Sequence, residues 1–402
     1  MKTAGIVAEY NPFHLGHAYL VRRAREAGAD AVVAVMSGGA VQRGSFPLFP
    51  ASVRTRAALA CGVDLVVELP APYALCSAEK FAASAVSLLA ALGCVDALCF
   101  GCETPDAALL KNAAQLLTSQ DLPPLLKAEL EGGVPFPAAR QAALERLSPG
   151  SGAAVQGPGN LLGVEYCKAI QLYAPDMEIW PVLRAGAAHD AAEAEKGFSS
   201  ASALREALRQ GRLAFFLEHV PRPTRALYQK AMADGAYFLP GRGFDIALLS
   251  ALRRLSSGEM ERIPGSEEGL GNAVLNAARR AVSAEELYAL AKSKRYTHSR
   301  VRRLCLCAAL GYDRSLPALP PYIHLLGASE RGLALLKKAS PALPMSHSLR
   351  RLEQVGGPCS LVAQKSAEAA DLCALLRKTP GPAGADFSAP FLRPEEPAPA
   401  AD

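Results

Sequence analysis

The sequence predicts an α/β protein in which a parallel sheet is followed by a mainly helical region. In the first hundred residues, short apolar runs alternate with stretches of helical periodicity. Such alternation is typical of βαβ units and of the parallel sheets that they build. Beyond about Ala203, helical patterns dominate. Since 402 residues exceed the size that one hydrophobic core usually supports, we expect two domains.

The predicted elements follow one another in a regular order. The first strand is "AGIVA" at residues 4–8, and the first helix is "HAYLVRRAREAG" at residues 17–28. Further strands are predicted at residues 31–36, 65–69 and 97–101, and further helices at residues 53–62 and 78–93. Parallel sheets bind ligands in the crevice beyond the carboxyl ends of their strands, so we expect the functional residues there.

We predict three regions along the chain. Residues 1–205 form the domain that contains the sheet, and residues 206–378 form the helical domain. The remaining segment, residues 379–402, contains six prolines and almost no helical periodicity. This segment is therefore predicted to be disordered.

The composition indicates an ordinary globular protein, because half of the residues are hydrophobic and one fifth are charged. The apolar run at residues 81–95 is shorter than the roughly 20 residues that a membrane helix needs, so no membrane span is expected. The N-terminus lacks a signal-peptide core, which favours a cytoplasmic protein. Ten cysteines lack the spacing of a disulfide framework and are predicted to be reduced and mostly buried.

Two of the cysteines, Cys99 and Cys102, have the C-x-x-C spacing that also occurs in zinc and redox sites. The sequence offers no second pair of cysteines or histidines at the distance of a zinc ribbon, and Cys99 ends an apolar run. We therefore favour a strand end with incidental cysteines, and we predict no metal site.

The segment His14-Leu15-Gly16-His17 lies where the first predicted strand meets the first predicted helix. A helix N-terminus carries unpaired N–H groups and a partial positive charge, and it is a site for anions such as phosphate. Positions three apart share one helix face, so both imidazoles can contact the same ligand. They can donate hydrogen bonds to oxygens that gain charge when an α-phosphate is attacked. A zinc site with further ligands and an uncommitted surface pair are the alternatives.

The H-x-G-H motif resembles the signature of the superfamily of adenylyl- and cytidylyltransferases, which includes class I aminoacyl-tRNA synthetases. More narrowly, "GIVAEYNPFHLGHAYLV" resembles the bacterial tRNA(Met) cytidine acetate ligase family. The motifs that carry this resemblance follow in order through most of the chain: "VMSGGAVQRG", "DLVVELPAPYALCSAEKFA", "CFGCE", "GNLLGVEY", "FSSASALR" and "KRYTHSRVRR". The resemblance implies a Rossmann-like nucleotidyltransferase domain followed by a helical domain that binds tRNA.

Members of that family activate acetate with ATP to acetyl-adenylate and transfer the acetyl group to N4 of the wobble cytidine of elongator methionine tRNA. The resemblance implies that His14 and His17 are catalytic and contact the phosphates. It also implies that Gly101, Asn160 and Arg184 lie near the nucleotide. The segment implied to wrap ATP consists of Val7, Ala8, Glu9, Tyr10, Asn11, Pro12, Phe13, His14, Leu15, Gly16, His17, Ala18, Tyr19 and Leu20. Magnesium is the expected companion of ATP.

The segment "FSSASALR" resembles the second phosphate motif of nucleotidyltransferases. There Ser199, Ser200 and a helix N-terminus would meet the β- and γ-phosphates, and Arg205 would supply positive charge. Serine before a helix is also a common N-cap, so the segment has a purely structural interpretation as well. Asn160 and Arg184 have similar alternatives, as a helix N-cap and as a surface charge.

The chain departs from the family pattern at a few positions. Gly39 stands where asparagine is usual, Ala40 stands where an aromatic residue is usual, and Pro50-Ala51 replaces the usual Asp-Lys. Because these positions follow the second predicted strand, we expect them at the rim of the site. Acetate recognition is therefore less firmly implied than ATP binding.

A basic segment, residues 292–303, contains six cationic residues and no acidic one, although the net charge of the chain is only +5. Basic side chains neutralise RNA phosphates, and the rings of Tyr296 and His298 could stack on unpaired bases. The predicted tRNA-binding residues are Lys294, Arg295, Arg300, Arg302 and Arg303. A solvated helix face is the plain alternative. The alternative functions are a nucleotidyltransferase for a small metabolite and an inactive RNA-binding homologue.

Overall fold

The computed structural model describes residues 1–184, 198–293 and 295–394. Its centre is a sheet of seven strands: β1 (Thr3–Ala8), β2 (Ala31–Ser37), β3 (Leu65–Leu69), β4 (Ala97–Cys102), β5 (Glu178–Leu183), β6 (Ile323–Ala328) and β7 (Met345–Ser346). The strands stand in the order β5-β4-β1-β2-β3-β6-β7.

Helices cover both faces of the sheet and form a separate helical unit. They are α1 (Leu15–Glu26), α2 (Ala51–Ala60), α3 (Ala71–Ala74), α4 (Ala78–Ala91), α5 (Ala107–Thr118), α6 (Leu122–Glu131), α7 (Phe136–Leu147), α8 (Pro158–Tyr173), α9 (Ala201–Arg209), α10 (Leu213–Glu218), α11 (Arg222–Ala233), α12 (Arg242–Arg254), α13 (Ser257–Glu261), α14 (Leu270–Arg280), α15 (Ala284–Ala291), α16 (His298–Ala309), α17 (Glu330–Leu336), α18 (Leu349–Gln354) and α19 (Gly357–Leu375). Short 3-10 helices lie at Ser151–Val155 and Ala385–Ser388.

The first five strands are parallel, as predicted. The sheet grows from β1 to β2 and β3 on one side, and from β1 to β4 and β5 on the other. The strand order therefore reverses between β1 and β4, which is the topological switch point where parallel sheets bind ligands. The later strand β6 adds antiparallel to β3. The fold is a mixed, mostly parallel α/β sheet.

The four strands predicted from the sequence are confirmed, each within one residue at its ends. The predicted helices at residues 17–28, 53–62 and 78–93 correspond to α1, α2 and α4, and the first two begin two residues earlier than expected. Strand β5 was not predicted. It contains Pro181, which removes a backbone donor, and proline is tolerated here because β5 lies at the edge of the sheet.

The two faces of the sheet bury different helices. On one face α4, α5 and α8 pack over the strands through residues such as Phe81, Leu89 and Phe100. On the other face α1, α2, α10 and α11 share a second apolar cluster. There Phe49 stacks on Tyr228 of α11, with ring centroids 4.8 Å apart. The helices α10 and α11 therefore belong to the sheet domain.

The helical unit consists of α12 to α16 around its own apolar core. This core includes Phe244, Leu252, Leu287, Val301 and Leu304. The same core also takes in residues from the sheet domain and from α19. The helical unit is therefore packed firmly against the sheet domain.

The structure differs from the predicted division at residues 205 and 378. After the helical unit, the chain returns to the sheet as β6, and the segment after α19 also docks there. Leu392 is buried, its N–H donates to the Leu326 carbonyl (3.1 Å), and its own carbonyl accepts from the Ala328 N–H (3.0 Å). The prediction of a disordered tail is thus wrong for residues 379–394, because apolar side chains and sheet hydrogen bonds anchor them. Residues 395–402 lie outside the described residues.

Among the described residues, no helix is both long enough and apolar enough to cross a membrane. The cysteines of the C-x-x-C motif are free and buried in β4. Burial raises the pKa of the Cys99 thiol to about 12 and that of the Cys102 thiol to about 11, so both are protonated at neutral pH.

Candidate active site

A crevice of about 330 Å³ opens at the carboxyl ends of β1, β4 and β5. It lies at the topological switch point, and the N-termini of α1 and α9 border it. Val7 and Ala8 end β1 at its floor, Gly101 lies on β4, and Val182 lies on β5. The sequence prediction of a ligand site at the strand ends thus corresponds to a real cavity.

The two histidines cap the helix that carries them. His14 is the N-cap of α1, and its Nδ1 accepts from the Gly16 N–H at 3.0 Å. In return, Nδ1 of His17 accepts from the His14 N–H at 3.2 Å. Since both Nδ1 atoms accept hydrogen bonds, each neutral ring must carry its proton on Nε2. Within the described part of the chain, the Nε2–H groups have no partner and can donate to a ligand in the crevice.

The surroundings of the two histidines favour the neutral form of each ring. Burial, followed by the positive charges of Arg184 and Arg205, lowers the pKa of His14 to about 3. Burial, His14 and Arg184 likewise hold the pKa of His17 well below its ordinary value. The rings lie close together, with centroids 3.9 Å apart. The pair therefore offers two neighbouring neutral N–H donors at the crevice.

Gly101 and Arg184 form one wall of the crevice. A Cβ at Gly101 would have Arg184 Cγ as its nearest neighbour, at 3.9 Å. The protein itself thus leaves room there, and a side chain would extend into the space for a ligand. The Arg184 guanidinium is 42% exposed and lies 3.8 Å from a carboxylate oxygen of Glu103. Both residues thus line the crevice, and their contact with a nucleotide stays a prediction.

Helix α9 presents its N-terminus to the same crevice. Ser200 is its N-cap, with the side chain accepting from the Ala203 N–H at 3.2 Å, and Ser199 also lines the cavity. Arg205 donates to the carbonyl of Asn11 (2.7 Å) and to the hydroxyl of Ser202 (3.0 Å). A nine-residue helix with its start at the crevice can bind anionic oxygens there.

Asn160 is not brought into the crevice. Its side chain is buried and accepts from the Thr104 N–H (2.8 Å), and it donates to the Thr104 hydroxyl and the Ala153 carbonyl, both at 3.1 Å. Its neighbours Pro158 and Gly159 line the crevice instead. Asn160 thus fixes the loop after β4, and its contact with a nucleotide stays a prediction. The alternative interpretation as an N-cap is wrong, because the N-cap of α8 is Gly157.

Most of the predicted segment at residues 7–20 lines the crevice. The members that do not are Pro12, Phe13, Leu15 and Ala18. Phe13 is fully buried, and its carbonyl accepts from the Tyr228 hydroxyl at 3.1 Å. These residues hold the turn between β1 and α1 against the apolar core and give the histidines their position.

Sequence reasoning missed the buried arginine beneath this turn. Arg54 is fully buried and donates to four carbonyls: Phe49 (3.0 Å), Glu9 (2.9 Å), Ser37 (2.6 Å) and Gly38 (2.6 Å). Burial lowers its pKa to about 10, which still leaves it charged at neutral pH. It ties the carboxyl ends of β1 and β2 together. Arginine in a helix has no sequence feature that marks such a role.

Two further lining residues, Glu9 and Arg43, were named only within longer motifs. Glu9 Oε1 accepts from the Gln42 N–H at 2.8 Å. Burial raises the pKa of Glu9, while the Gln42 hydrogen bond and the charges of Arg205, Arg43 and Arg54 oppose this shift. Arg43 is exposed and makes no hydrogen bond or ion pair with another described residue. Its guanidinium is thus available to a ligand.

The departures at Gly39, Ala40 and Ala51 do not lie on the rim of the crevice. A Cβ at Gly39 would stand 2.9 Å from the backbone nitrogen of Ala370 in α19. Ala40 is fully buried in the core of the helical unit, and Ala51 begins α2. The rim prediction is wrong because the chain turns into the interior after β2.

The basic segment begins at the N-terminal end of α16, on the helical unit. Arg295 is exposed, and its guanidinium makes no hydrogen bond or ion pair within the described residues. Tyr296, which was predicted to stack on bases, is instead buried, and its hydroxyl donates to the Glu268 carbonyl. The stacking prediction for Tyr296 is therefore wrong. Lys294 lies outside the described residues.

The remaining arginines of the segment face two different cavities. Arg300 pairs with Glu268 (3.0 Å), and Arg303 donates to the Gln42 carbonyl (3.3 Å). These two border a cavity beside α4, whereas Arg302 borders one beside the crevice. The segment is thus partly a structural joint between the helical unit and the loop after β2. Within the described residues, no group of three or more His, Cys, Asp and Glu could hold a metal ion.

The whole chain is similar to known proteins. Residues 1–379 match the family model described as HIGH Nucleotidyl Transferase. The chain is 35% identical over 346 residues to the tRNA(Met) cytidine acetate ligase of Caldanaerobacter subterraneus subsp. tengcongensis, covering 84% of this chain and 86% of that protein. It is 32% identical over 404 residues to that of Thermoanaerobacter sp. strain X514, covering 98% and 100%.

A solved structure is similar over almost the whole chain. It is the crystal structure of Thermotoga maritima TmcAL bound with alpha-thio ATP, with a TM-score of 0.87 and 29% identity. The similarity covers 98% of this chain and 100% of that one. The apo form of the same protein gives a TM-score of 0.88.

Proposed function

The chain belongs to the HIGH nucleotidyl transferase family, and from this membership we propose that it is a tRNA(Met) cytidine acetate ligase that uses ATP. The observation that carries the proposal is the mutual capping of His14 and His17. It directs two neutral Nε2–H donors to one cavity at the switch point of a parallel sheet. Such donors can stabilise charge that develops on phosphate oxygens, without a covalent intermediate on the protein.

In the proposed first step, an oxygen of acetate attacks the α-phosphorus of ATP. The bond between the α-phosphorus and the bridging oxygen breaks, pyrophosphate leaves, and acetyl-adenylate remains. His14 and His17 would donate to the phosphate oxygens, and Arg184 would neutralise charge from the facing wall. The N-terminus of α9 with Ser199, Ser200 and Arg205 would hold the departing phosphates.

In the proposed second step, the N4 amine of the wobble cytidine attacks the acetyl carbon. The new C–N bond replaces the C–O bond to AMP, AMP leaves, and one amine proton is released. The acceptor is proposed to be elongator methionine tRNA. We propose a cytoplasmic location, because the proposed substrates include ATP and tRNA.

Magnesium is proposed to accompany ATP rather than to occupy a protein cage. Glu9 is the one carboxylate among the described residues that line the crevice. A single carboxylate does not make a protein cage for a metal, so magnesium would be held mainly by phosphate oxygens and water. When bound, it would neutralise charge on the leaving pyrophosphate.

The basic segment is proposed to bind the tRNA backbone. The Arg295 guanidinium has no partner among the described residues and can contact a phosphate, and Arg302 lines the cavity that borders the crevice. Arg300 and Arg303 would contribute charge while keeping their protein partners, and Lys294 is included from its position in the sequence. A polyanion attracted to this side would approach the mouth of the active site.

The direct test is to incubate the protein with ATP, acetate and bulk tRNA and to search the digested RNA for acetylated cytidine by mass spectrometry. Acetate-dependent exchange between ATP and pyrophosphate is measured in parallel. We expect both activities, and we expect acetylation only when tRNA, ATP and acetate are all present. Exchange that needs a small metabolite instead of acetate would support a metabolite nucleotidyltransferase. The open crevice argues against an inactive RNA-binding homologue.

A further inference from the structure

A second cavity, here called the junction cavity, lies between the sheet domain and the helical unit. It has a volume of about 510 Å³, within the range of small-molecule sites. The helical unit contributes Phe244 of α12, Tyr288 of α15 and Arg302 of α16 to its lining. The junction cavity shares a wall with the crevice: Glu9, Asn11, Arg43, Ser202 and Arg205 line both.

Among the described residues of the shared wall, Glu9 offers a free acceptor and Arg43 offers a free donor group. Glu9 is fixed through Oε1, which accepts from the Gln42 N–H, while Oε2 makes no hydrogen bond with a described residue. Arg43 follows Gln42 directly in the chain, and its guanidinium makes no hydrogen bond or ion pair within the described part of the chain. A carboxylate and a guanidinium with free capacity therefore both line the wall between the two cavities.

Resting on the proposed function, we propose that the junction cavity takes the target cytosine and that Glu9 and Arg43 recognise its edge. Cytosine presents an N4 amine that donates and an N3 atom that accepts. A carboxylate complements the amine, and a guanidinium complements N3. Uracil presents the opposite pattern, because its O4 accepts and its N3–H donates. The wall therefore selects cytosine over uracil.

The location of the junction cavity suits the acceptor better than it suits any other substrate. For acyl transfer, the amine must come within about 3 to 3.5 Å of the acetyl carbon, so its pocket must border the crevice. The junction cavity does so through the shared wall. Two other large cavities, one lined by Tyr73 and Arg314 and one by Asp96 and Tyr173, share no lining residue with the crevice among those described. The basic segment also reaches the junction cavity through Arg302.

The test uses two anticodon stem-loop RNAs that differ only in cytidine or uridine at the target position. Their dissociation constants are measured by fluorescence anisotropy without ATP and at fixed salt. We expect the wild-type protein to prefer cytidine by about tenfold to a hundredfold. In Glu9→Gln, an amide that both donates and accepts should bring the ratio close to one. Glu26→Gln, at the exposed far end of α1, is the matched control and should keep the preference.

A second variant keeps the test decisive if Glu9→Gln does not fold. Arg43→Ala removes an exposed side chain that makes no hydrogen bond with a described residue, so it should fold and should also reduce the cytidine preference. The inference is overturned if the wild-type protein has no preference, or if Glu9→Gln and Arg43→Ala both retain it. If Glu9 instead holds magnesium, Glu9→Gln will impair exchange and leave the ratio unchanged, which also overturns it. Failure of the proposed function is distinct, since then the wild-type protein forms no acetylated cytidine.

Discussion

The histidine pair at the start of α1 and the basic segment at the start of α16 are held in opposite ways. His14 and His17 accept hydrogen bonds from the main chain of their own helix, and their rings contact each other. In the basic segment, Arg300 and Arg303 bind partners distant in the sequence, and Arg295 has none among the described residues. One region is thus fixed locally, and the other is fixed by the assembly of the two units.

This difference matches the two kinds of ligand that we propose. Charge that develops over a few ångströms on a phosphate is stabilised best by donors that are already oriented. A long polyanion is attracted by charges that need not be fixed, and their contribution depends on salt. The following predictions test whether the two regions really divide the work in this way.

Replacement of His17 should have the largest effect. We expect His17→Ala to lower acetate-dependent ATP–pyrophosphate exchange by about a hundredfold to a thousandfold, because the variant lacks one oriented donor. The ring also packs against Tyr10 and Phe13, so thermal unfolding must be measured alongside. His347→Ala, an exposed histidine remote from the crevice, is the control and should exchange normally. Normal exchange in a folded His17→Ala protein would refute the role of the pair in adenylate formation, and His14→Ala should behave like His17→Ala.

Charge reversal in the basic segment should separate the two half-reactions. With Arg295, Arg300 and Arg303 changed to Glu, tRNA binding and acetyl transfer should fall while exchange continues. In a plot of the logarithm of the tRNA binding constant against the logarithm of the salt concentration, the slope should become shallower by about one for each RNA phosphate that the variant no longer neutralises. Arg295→Glu alone tests charge without disturbing a protein hydrogen bond, and Lys127→Glu on α6 is a remote control. If reversal leaves both half-reactions intact, the arginines only solvate the helix. Loss of both in a folded protein would place the segment at the ATP site.

Filling the wall at Gly101 should have an intermediate effect. We expect Gly101→Val to weaken ATP binding by about fivefold to a hundredfold, the range that overpacking by extra methyl groups usually causes. The nearest protein atom to the added Cβ lies 3.9 Å away, so the variant should fold. Gly101→Ala is the matched smaller change and should have a weaker effect. Calorimetric titration with ATP measures both, and equal affinities in all three proteins would show that the glycine serves only the backbone.

Acidification should give the smallest effect. The pKa of His14 is lowered to about 3 and that of His17 also lies well below its ordinary value, whereas unfolded histidines titrate near pH 6.5. Below pH 6.5 the unfolded state therefore binds more protons, and the free energy of unfolding decreases as the pH falls. The loss is at most about 1.4 kcal/mol per histidine and pH unit. Urea unfolding at pH 7.5 and 5.5 should show a smaller decrease in the double alanine variant; an equal decrease would contradict the lowered pKa values.

The parts of this molecule that the sequence predicts are those with local causes. The strands β1 to β4 and the H-x-G-H segment can be recognised because the residues that define each of them are neighbours in the sequence. Asn160, Tyr296 and Arg54 depend instead on partners far along the chain: Asn160 binds Thr104, Tyr296 binds Glu268, and Arg54 binds Glu9 and Ser37. Their residue types did not reveal these partners.

The strand order also has long-range causes. Strand β6 belongs to the sheet only because the helical unit brings residues 323–328 back to β3, and no apolar run in the first domain announces it. The ordered segment at residues 379–394 has the same kind of cause, since Leu392 is anchored by β6. Proline content alone was a poor guide there, because a few well-placed apolar side chains and backbone hydrogen bonds outweighed it.

The late arrival of β6 has a consequence for biosynthesis. A ribosome releases β1 to β5, the histidine pair and the helical unit before it releases the strand that covers β3. Until residues 323–328 emerge, β3 is an open edge whose backbone groups can pair with another nascent chain. A chain cut short before β6 would thus contain every residue of the crevice and still be prone to aggregation. The segment that contributes least to the chemistry is the one that protects the newly made protein from its neighbours.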